Sequence, residues 1–266
     1  MPQLSDATLH AHDEVLSGLG DRVADNLHIL GDVEKVWQPT DFLPDLTAED
    51  WPDQLADFRQ RALSVADETL VVLVGDMVTE EALPNYSVSL NRIAKDETGD
   101  ADAPWARWLR GWTAEENRHG DLLNAYLRLT GRVDMRRVEI TVHNLLKLGF
   151  NPRTHGSPYY GLVYTAFQER ATKVSHRNVG RLAKQHGDTN LATICARIAG
   201  DEARHELFYT RMMGHVLDED PEGGMLAIRR MIRGLIAMPG KHMCDGKTPG
   251  VFDRFAAVAE RRGVYT

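Results

Sequence analysis

One five-residue pattern occurs twice in this chain. Glu115-Glu116-Asn117-Arg118-His119 and Asp201-Glu202-Ala203-Arg204-His205 both read acid-Glu-x-Arg-His. Glu and His three residues apart stand on one face of an α-helix, one turn from each other. A carboxylate and an imidazole so placed can grip one metal ion together. A single Glu-x-x-His on a helix usually marks nothing more than a solvated face. Two copies, each with an acid before the Glu and an Arg before the His, ask for a common cause. The neighbours are apolar: Trp112 before the first pair with Leu122 and Leu123 after it, Ile198 before the second with Leu207 and Phe208 after it. They favour burial, and buried carboxylates without cations are very costly. The pattern therefore asks for long helices facing each other across a core, with metal between them.

The rest of the chain agrees with an all-α fold. Residues 6–30 carry Leu9, Val15, Leu16, Leu19, Val23, Leu27 and Leu30 close to helical spacing, which predicts one amphipathic helix. Trp37 to Pro44 is a loop, because Pro39 and Pro44 resist helix. Trp51-Pro52 opens a short helix over 53–62. Asp67 is the expected N-cap of a helix over 68–81, apolar nearly all round and hence central. Pro84 marks a kink or a new start. Further helices are predicted from Pro104 to Thr130, closed by Gly131, and from Val133 to Leu148, closed by Gly149. Others run over 159–185, 190–217, 223–237 and 251–261. Trp105, Trp108 and Trp112 lie along one side of the helix that bears the first motif.

Two Glu-x-x-His pairs with a lone Glu from each of two other helices form the ligand set of ferritin-like di-iron carboxylate bundles. Glu80 or Glu81, and Glu169, are the candidates for the lone positions. Oxygen-rich sites with a little imidazole suit iron or manganese, and four carboxylates balance two divalent ions. Each ligating His needs an acceptor for its other ring N–H, and Asp201 and Glu115 stand in position to serve. In 266 residues no linker, low-complexity tract or tandem repeat appears, so one domain over 1–266 is expected. A net charge of −8 argues against non-specific nucleic-acid binding. Cys195 and Cys244 are too few for a disulfide framework. With no signal peptide or membrane-spanning run in view, a cytoplasmic location is expected.

The longer context is specific. Trp112 to Asn124 (WTAEENRHGDLLN) and Val74 to Pro84 (VGDMVTEEALP) strongly resemble the soluble acyl-carrier-protein desaturases of plant plastids and their bacterial relatives. So do Gly131 to Arg136, Phe167 to Thr172, and Phe252-Asp253 through Gly263 to Thr266. The resemblance extends from about Trp37 to the end. It implies a helical bundle around two iron ions, usually as a homodimer. Glu80, Glu116, His119, Glu169, Glu202 and His205 are the implied iron ligands, and Glu81 is not among them. It further implies an electron route through Trp37, Asp201 and His119, and places Thr172 beside the oxygen pocket.

The implied reaction takes two electrons from ferredoxin and O2 at the iron pair, and removes two vicinal hydrogens from an acyl chain on acyl carrier protein. A cis double bond and water result. Tyr86, Ile93, Pro152, Gly161 and Phe167 are candidates to line an acyl tunnel. Arg229, Arg230 and Arg233, or Arg92 and Lys95, are candidates to meet the acidic carrier protein. Arg92 and Ser89 depart from the plant pattern, a short deletion follows them, and the sequence stops where plant enzymes continue. A different acyl length or double-bond position is the expected consequence. An iron-storing ferritin-like protein and a di-iron acyl hydroxylase are the alternatives. An apolar tunnel and a carrier-docking patch would separate storage from desaturation.

Overall fold

The computed structural model describes residues 4–265. The two ends of the expected 1–266 domain, and Thr266 of the final resembling segment, lie outside the described residues. No strand occurs among those residues. Four long helices form a ring: α4 (Asp67–Glu80), α6 (Pro104–Thr130), α8 (Pro158–His186) and α9 (Thr189–Glu219). α4 packs on α6, α6 on α9, α9 on α8, and α8 back on α4. This is the all-α, ferritin-like bundle, and the other helices flank it. They are α1 (Asp6–Gly18), α2 (Gly20–Asn26), α3 (Trp51–Leu63), α5 (Leu83–Ala94), α7 (Met135–Leu148), α10 (Pro221–Arg233) and α11 (Val251–Arg261).

Local chemistry sets the ends of the ring helices. Pro104 and Pro158 stand in first turns, where the missing N–H costs nothing. Asp188 caps α9 by accepting from the Leu191 N–H. Gly131 and Gly187 close α6 and α8 with positive φ of 66° and 92°. α4 is the most apolar of the four, and ten of its fourteen residues are buried, among them Asp76 and Glu80.

Three sequence expectations need correction. The single helix over 6–30 is two helices broken at Leu19, whose φ of −82° and ψ of 5° leave the helical track. A short 3-10 turn, Leu27–Ile29, follows. Asp67 is not an N-cap. Ala66 holds that position, and the Asp67 carboxylate accepts from the Arg132 guanidinium at 2.5 Å. α10 ends at Arg233 rather than 237, because Leu235 turns to a φ of 57°. Among the described residues no helix is long and apolar enough to cross a membrane.

Candidate metal centre

The ring brings the chemistry-bearing side chains to its axis. Glu80 comes from α4, Glu116 and His119 from α6, Glu169 from α8, and Glu202 and His205 from α9. All six are at least 97% buried. They form two overlapping sets: Glu80, Glu116, His119 and Glu202 offer one donor atom each within 4.8 Å of one another, and so do Glu116, Glu169, Glu202 and His205. Glu116 and Glu202 belong to both sets. Two neighbouring cations that share two carboxylates is what this donor set accommodates. Glu81 belongs to neither set, and its Oε1 accepts from Asn124 Nδ2 at 3.1 Å.

The inward atoms are disposed as metal ligands are. Glu116 Oε1, Glu169 Oε2, Glu202 Oε1, His119 Nδ1 and His205 Nδ1 are buried and have no hydrogen-bond partner. His205 Nδ1 lies 2.8 Å from Glu116 Oε1, but the two are misaligned for a hydrogen bond and converge on a common space. Burial, with the Glu202 carboxylate next in strength, pushes the Glu116 carboxyl up to about 7. Burial and the charges of Glu116 and Glu202 push Glu169 well above the carboxylate range. Glu202 goes the other way: burial opposes its charge, but the nearby His119 and Glu169 side chains outweigh it and hold the carboxyl at about 2. Four carboxylates this close cannot all ionise without cations. The donor set and its orphaned atoms therefore fit a pair of divalent metal ions.

The doubled motif explains itself in the surrounding contacts. Each acid serves the histidine of the other copy. His205 Nε2 lies 2.8 Å from Glu115 Oε2, and His119 Nε2 lies 3.3 Å from Asp201 Oδ2. Each ring is thus anchored on its outer nitrogen and turns its other nitrogen inward. Burial opposes the charge on Asp201, but the His119 and Arg204 contacts outweigh it and hold the carboxyl far below its usual range. The two arginines carry the neutralising charge. Arg204 Nη2 donates to Asp201 Oδ1 at 2.6 Å and to Glu115 Oε2 at 2.9 Å. Arg118 Nη1 donates to the Trp37 carbonyl at 2.6 Å, and its guanidinium lies 4.7 Å above the Trp37 ring. Gly31 N–H donates to Glu115 Oε1 at 2.7 Å, so the segment after α2 is tied over this side of the site.

Trp37 Nε1 donates to the same Asp201 oxygen that meets His119, at 3.1 Å, which makes Trp37, Asp201 and His119 one connected chain. Thr172 Oγ1 donates to the Gln168 and Glu169 carbonyls of its own helix, one turn from the Glu169 side chain. Of the residues offered as tunnel lining, Tyr86 is buried and its hydroxyl donates to Glu116 Oε2 at 3.2 Å. Gly161 packs on Ile93, where a Cβ would come 3.0 Å from Ile93 Cδ1. Phe167 is 39% exposed and is not part of the core. Three further contacts escaped sequence reasoning. His176 Nε2 lies 2.8 Å from Glu80 Oε1, Trp112 Nε1 donates to Glu169 Oε1 at 3.0 Å, and Ser175 Oγ donates to Asp76 Oδ1 at 2.8 Å. A signal for His176 did exist: it follows Glu169 by seven residues, two turns along the same helix face.

A cavity of about 300 Å³ meets the centre on the α4–α8 side. Glu80, Thr172, Ser175 and His176 form its inner wall, and Ile236, Met238, Phe252, Phe255 and Ala259 are among the apolar residues of the remainder. Lys241 is the basic side chain that lines it, while neither of the arginine groups expected to dock a carrier does.

The family model for fatty acid desaturase matches residues 11–266. A seed-specific, chloroplastic stearoyl-acyl-carrier-protein 9-desaturase of Brassica napus is 52% identical over 257 residues, 95% of this chain and 64% of its own length. An acyl-acyl-carrier-protein desaturase of Cucumis sativus is 52% identical over 256 residues, again 95% of this chain, and 65% of its own length. The chain thus spans just under two thirds of the length of these curated relatives. The X-ray structure of DesA2 from Mycobacterium tuberculosis H37Rv superposes with a TM-score of 0.57 at 24% identity, over 95% of this chain and 88% of that one, and shares the fold. Matched from residue 11 to its last residue, and built around a buried Glu/His cluster able to hold metal, the chain belongs to the fatty acid desaturase family.

Proposed function

We propose that this protein is an acyl-carrier-protein desaturase that introduces a cis double bond into a saturated acyl chain. The observation that carries the reading is the apolar cavity that reaches Glu80 and Thr172. An iron store needs carboxylates and a path for ions. A cavity with apolar walls against a metal ligand serves a hydrocarbon. The resemblance of the motifs and the names of the relatives point the same way.

In this reading two iron ions occupy the centre. Glu80, Glu116, His119, Glu169, Glu202 and His205 would hold them, with Glu116 and Glu202 within reach of both. The iron pair, when bound, supplies the O2-dependent oxidising power that an unactivated methylene requires. The chain's own residues do the rest. Asp201 and Glu115 fix the outer nitrogens of the two histidines. Trp37 and Asp201 connect His119 towards the surface and serve as the route for electrons from ferredoxin. Thr172 borders both the Glu169 turn and the cavity, where its hydroxyl stands beside the oxygen pocket. The apolar walls, Phe252 and Phe255 among them, keep water from the chain held there and so confine oxidation to it. Acyl carrier protein presents the substrate, a second copy of the chain completes a homodimer, and the two free cysteines fit a reducing cytoplasm.

The test is turnover. Iron-loaded protein is given ferredoxin, its reductase, NADPH, O2 and a series of acyl-carrier-protein substrates, and the released fatty acids are read by mass spectrometry. A mono-unsaturated product is expected. A hydroxylated product would identify an acyl hydroxylase instead, and iron uptake without any acyl product would mean iron handling. Ala171→Leu, which narrows the cavity beside Glu80, is expected to keep the iron content and lose most of the turnover.

A further inference from the structure

The tryptophan stripe of α6 has no part in the reaction proposed above, yet it begins at the metal ligands. Trp112 Nε1 donates to Glu169 Oε1, and its ring lies 6.4 Å from that of His205, centroid to centroid. Outward from Trp112, Tyr209 stands edge-on at 6.1 Å. Tyr209 meets Trp108 at 6.0 Å, and Trp108 Nε1 donates to the Tyr209 hydroxyl at 3.2 Å. Trp108 stacks flat on Phe208 at 3.3 Å, and Phe208 meets Trp105 at 5.9 Å. Trp105 is 7% exposed, against 0% for Trp112 and 1% for Trp108, so the series runs from the centre to the edge of the fold.

A buried aromatic stripe can be plain core packing. Leu or Phe would fill such a core without an indole N–H to satisfy. Here three indoles are used, and every one has found an acceptor: Glu169, Tyr209 and the Leu16 carbonyl. Tryptophan also differs from those residues in giving up an electron readily. The charges around the rings set a direction. Trp112 donates to Glu169 and Trp37 to Asp201, so each indole has an acidic partner that favours positive charge on it. Trp37, on the other side of the centre, lies under the Arg118 guanidinium, which disfavours it.

We propose that Trp112, Trp108 and Trp105 form an outward relay that drains oxidising equivalents from the metal centre when it is oxidised with no acyl chain in place. The inference rests on the O2-dependent reading above. One electron leaves the Trp112 indole and reduces the centre by one. Trp112 recovers an electron from Trp108 across Tyr209, which keeps its proton, and Trp108 recovers one from Trp105. A single indole radical cation remains at the edge, where a low-molecular-weight thiol or ascorbate returns the electron. The relay protects the ligand shell, and Trp37 keeps the separate task of bringing electrons in.

The test exposes chemically reduced, iron-loaded protein to O2 without acyl substrate. An oxygen electrode follows consumption, electron paramagnetic resonance detects organic radicals, and peptide mass spectrometry locates oxidised tryptophan. An indole radical is expected, with oxidation accumulating at Trp105. Trp108→Phe keeps the stack on Phe208 and is expected to abolish most Trp105 oxidation and move damage to Trp112. Trp105→Phe, remote from the ligands, is expected to keep the iron content and leave the radical on Trp108. Oxygen consumption without any indole radical or tryptophan oxidation would overturn the relay alone, as would Trp105 oxidation undiminished by Trp108→Phe. No oxygen consumption would overturn the metal chemistry and the relay with it.

Discussion

His176 is buried beside Glu80, with its Nε2 2.8 Å from the carboxylate. Burial opposes charge on the imidazole, but Cys195, Glu80 and Asp76 around it hold its pKa well above the usual value. It fixes one oxygen of Glu80 and leaves the other to face His119. Outer contacts of this kind typically change metal affinity by about 10- to 100-fold. His176→Phe, similar in shape, is expected to weaken iron binding by about that factor, and a competition titration with a chelator measures it. An unchanged affinity would mean that packing alone orients Glu80. Asp76, one turn before Glu80, accepts from Ser175 on one oxygen and has the other, Oδ2, buried and unpartnered. Burial is the main cause that raises its carboxyl from 3.8 to about 6. The folded state therefore holds this proton more tightly than the unfolded one, so the residue costs stability as pH rises from 4 to 6 and a constant amount above that. Two pH units correspond to about 3 kcal/mol. Asp76→Asn still accepts from Ser175 and is expected to stabilise chelator-treated protein by up to about that amount at pH 7, with little gain near pH 4. Urea unfolding at the two pH values reads the difference.

At the scale of helices, α4 is held by a contact that only glycine permits. A Cβ at Gly75 would lie 2.1 Å from Phe255 Cε2 of α11, deep inside contact distance. Phe255 also forms part of the wall of the cavity at Glu80. Gly75→Ala must push α11 away, and overpacking of this kind costs about 1–3 kcal/mol. The expected result is a lower urea midpoint with faster amide exchange in Val251–Arg261, and unchanged exchange there would refute the contact. The long helices were legible in the sequence because their ends are local chemistry: Pro104 and Pro158 in first turns, Gly131 and Gly187 after the last. The break at Leu19 was not, since apolar periodicity runs through it undisturbed. Asp67 has N-cap chemistry, but Arg132, 65 residues away, claims its carboxylate. The doubled motif announced the centre because each Glu–His pair is local to one turn. The exchange of acids between the motifs joins residues 82 and 90 apart, and the His176–Glu80 contact spans 96. Such pairings depend on how the ring closes, which no spacing within one helix encodes.

Across the whole molecule, the centre is where four helices meet, and it is also where like charges accumulate. Burial, and after it the neighbouring carboxylates, raise the Glu116 and Glu169 carboxyls, as that crowding requires. Metal ions that bind the folded ring and not the unfolded chain convert this weakness into stability. With free metal at 100 times its dissociation constant, the gain is about 2.7 kcal/mol for each ion held. In a chain of this size each kcal/mol moves the melting temperature by roughly 2–4 °C. Iron loading is therefore expected to raise Tm by roughly 5–10 °C per bound ion over chelator-treated protein, and reloading is expected to restore it. Glu116→Gln and Glu202→Gln separate this linkage from general packing. Each removes one carboxylate charge with little change of shape. Metal-free Glu116→Gln, which loses a carboxyl raised by burial, is expected to melt no lower than the metal-free parent. Metal-free Glu202→Gln, which loses a carboxyl held low by its neighbours, is expected to melt lower, and both are expected to lose most of the iron-dependent rise. Differential scanning calorimetry of the parent and both variants, each with and without iron, decides it. If the iron-dependent rise survives in both variants, Glu116 and Glu202 are not the shared ligands of the two ions.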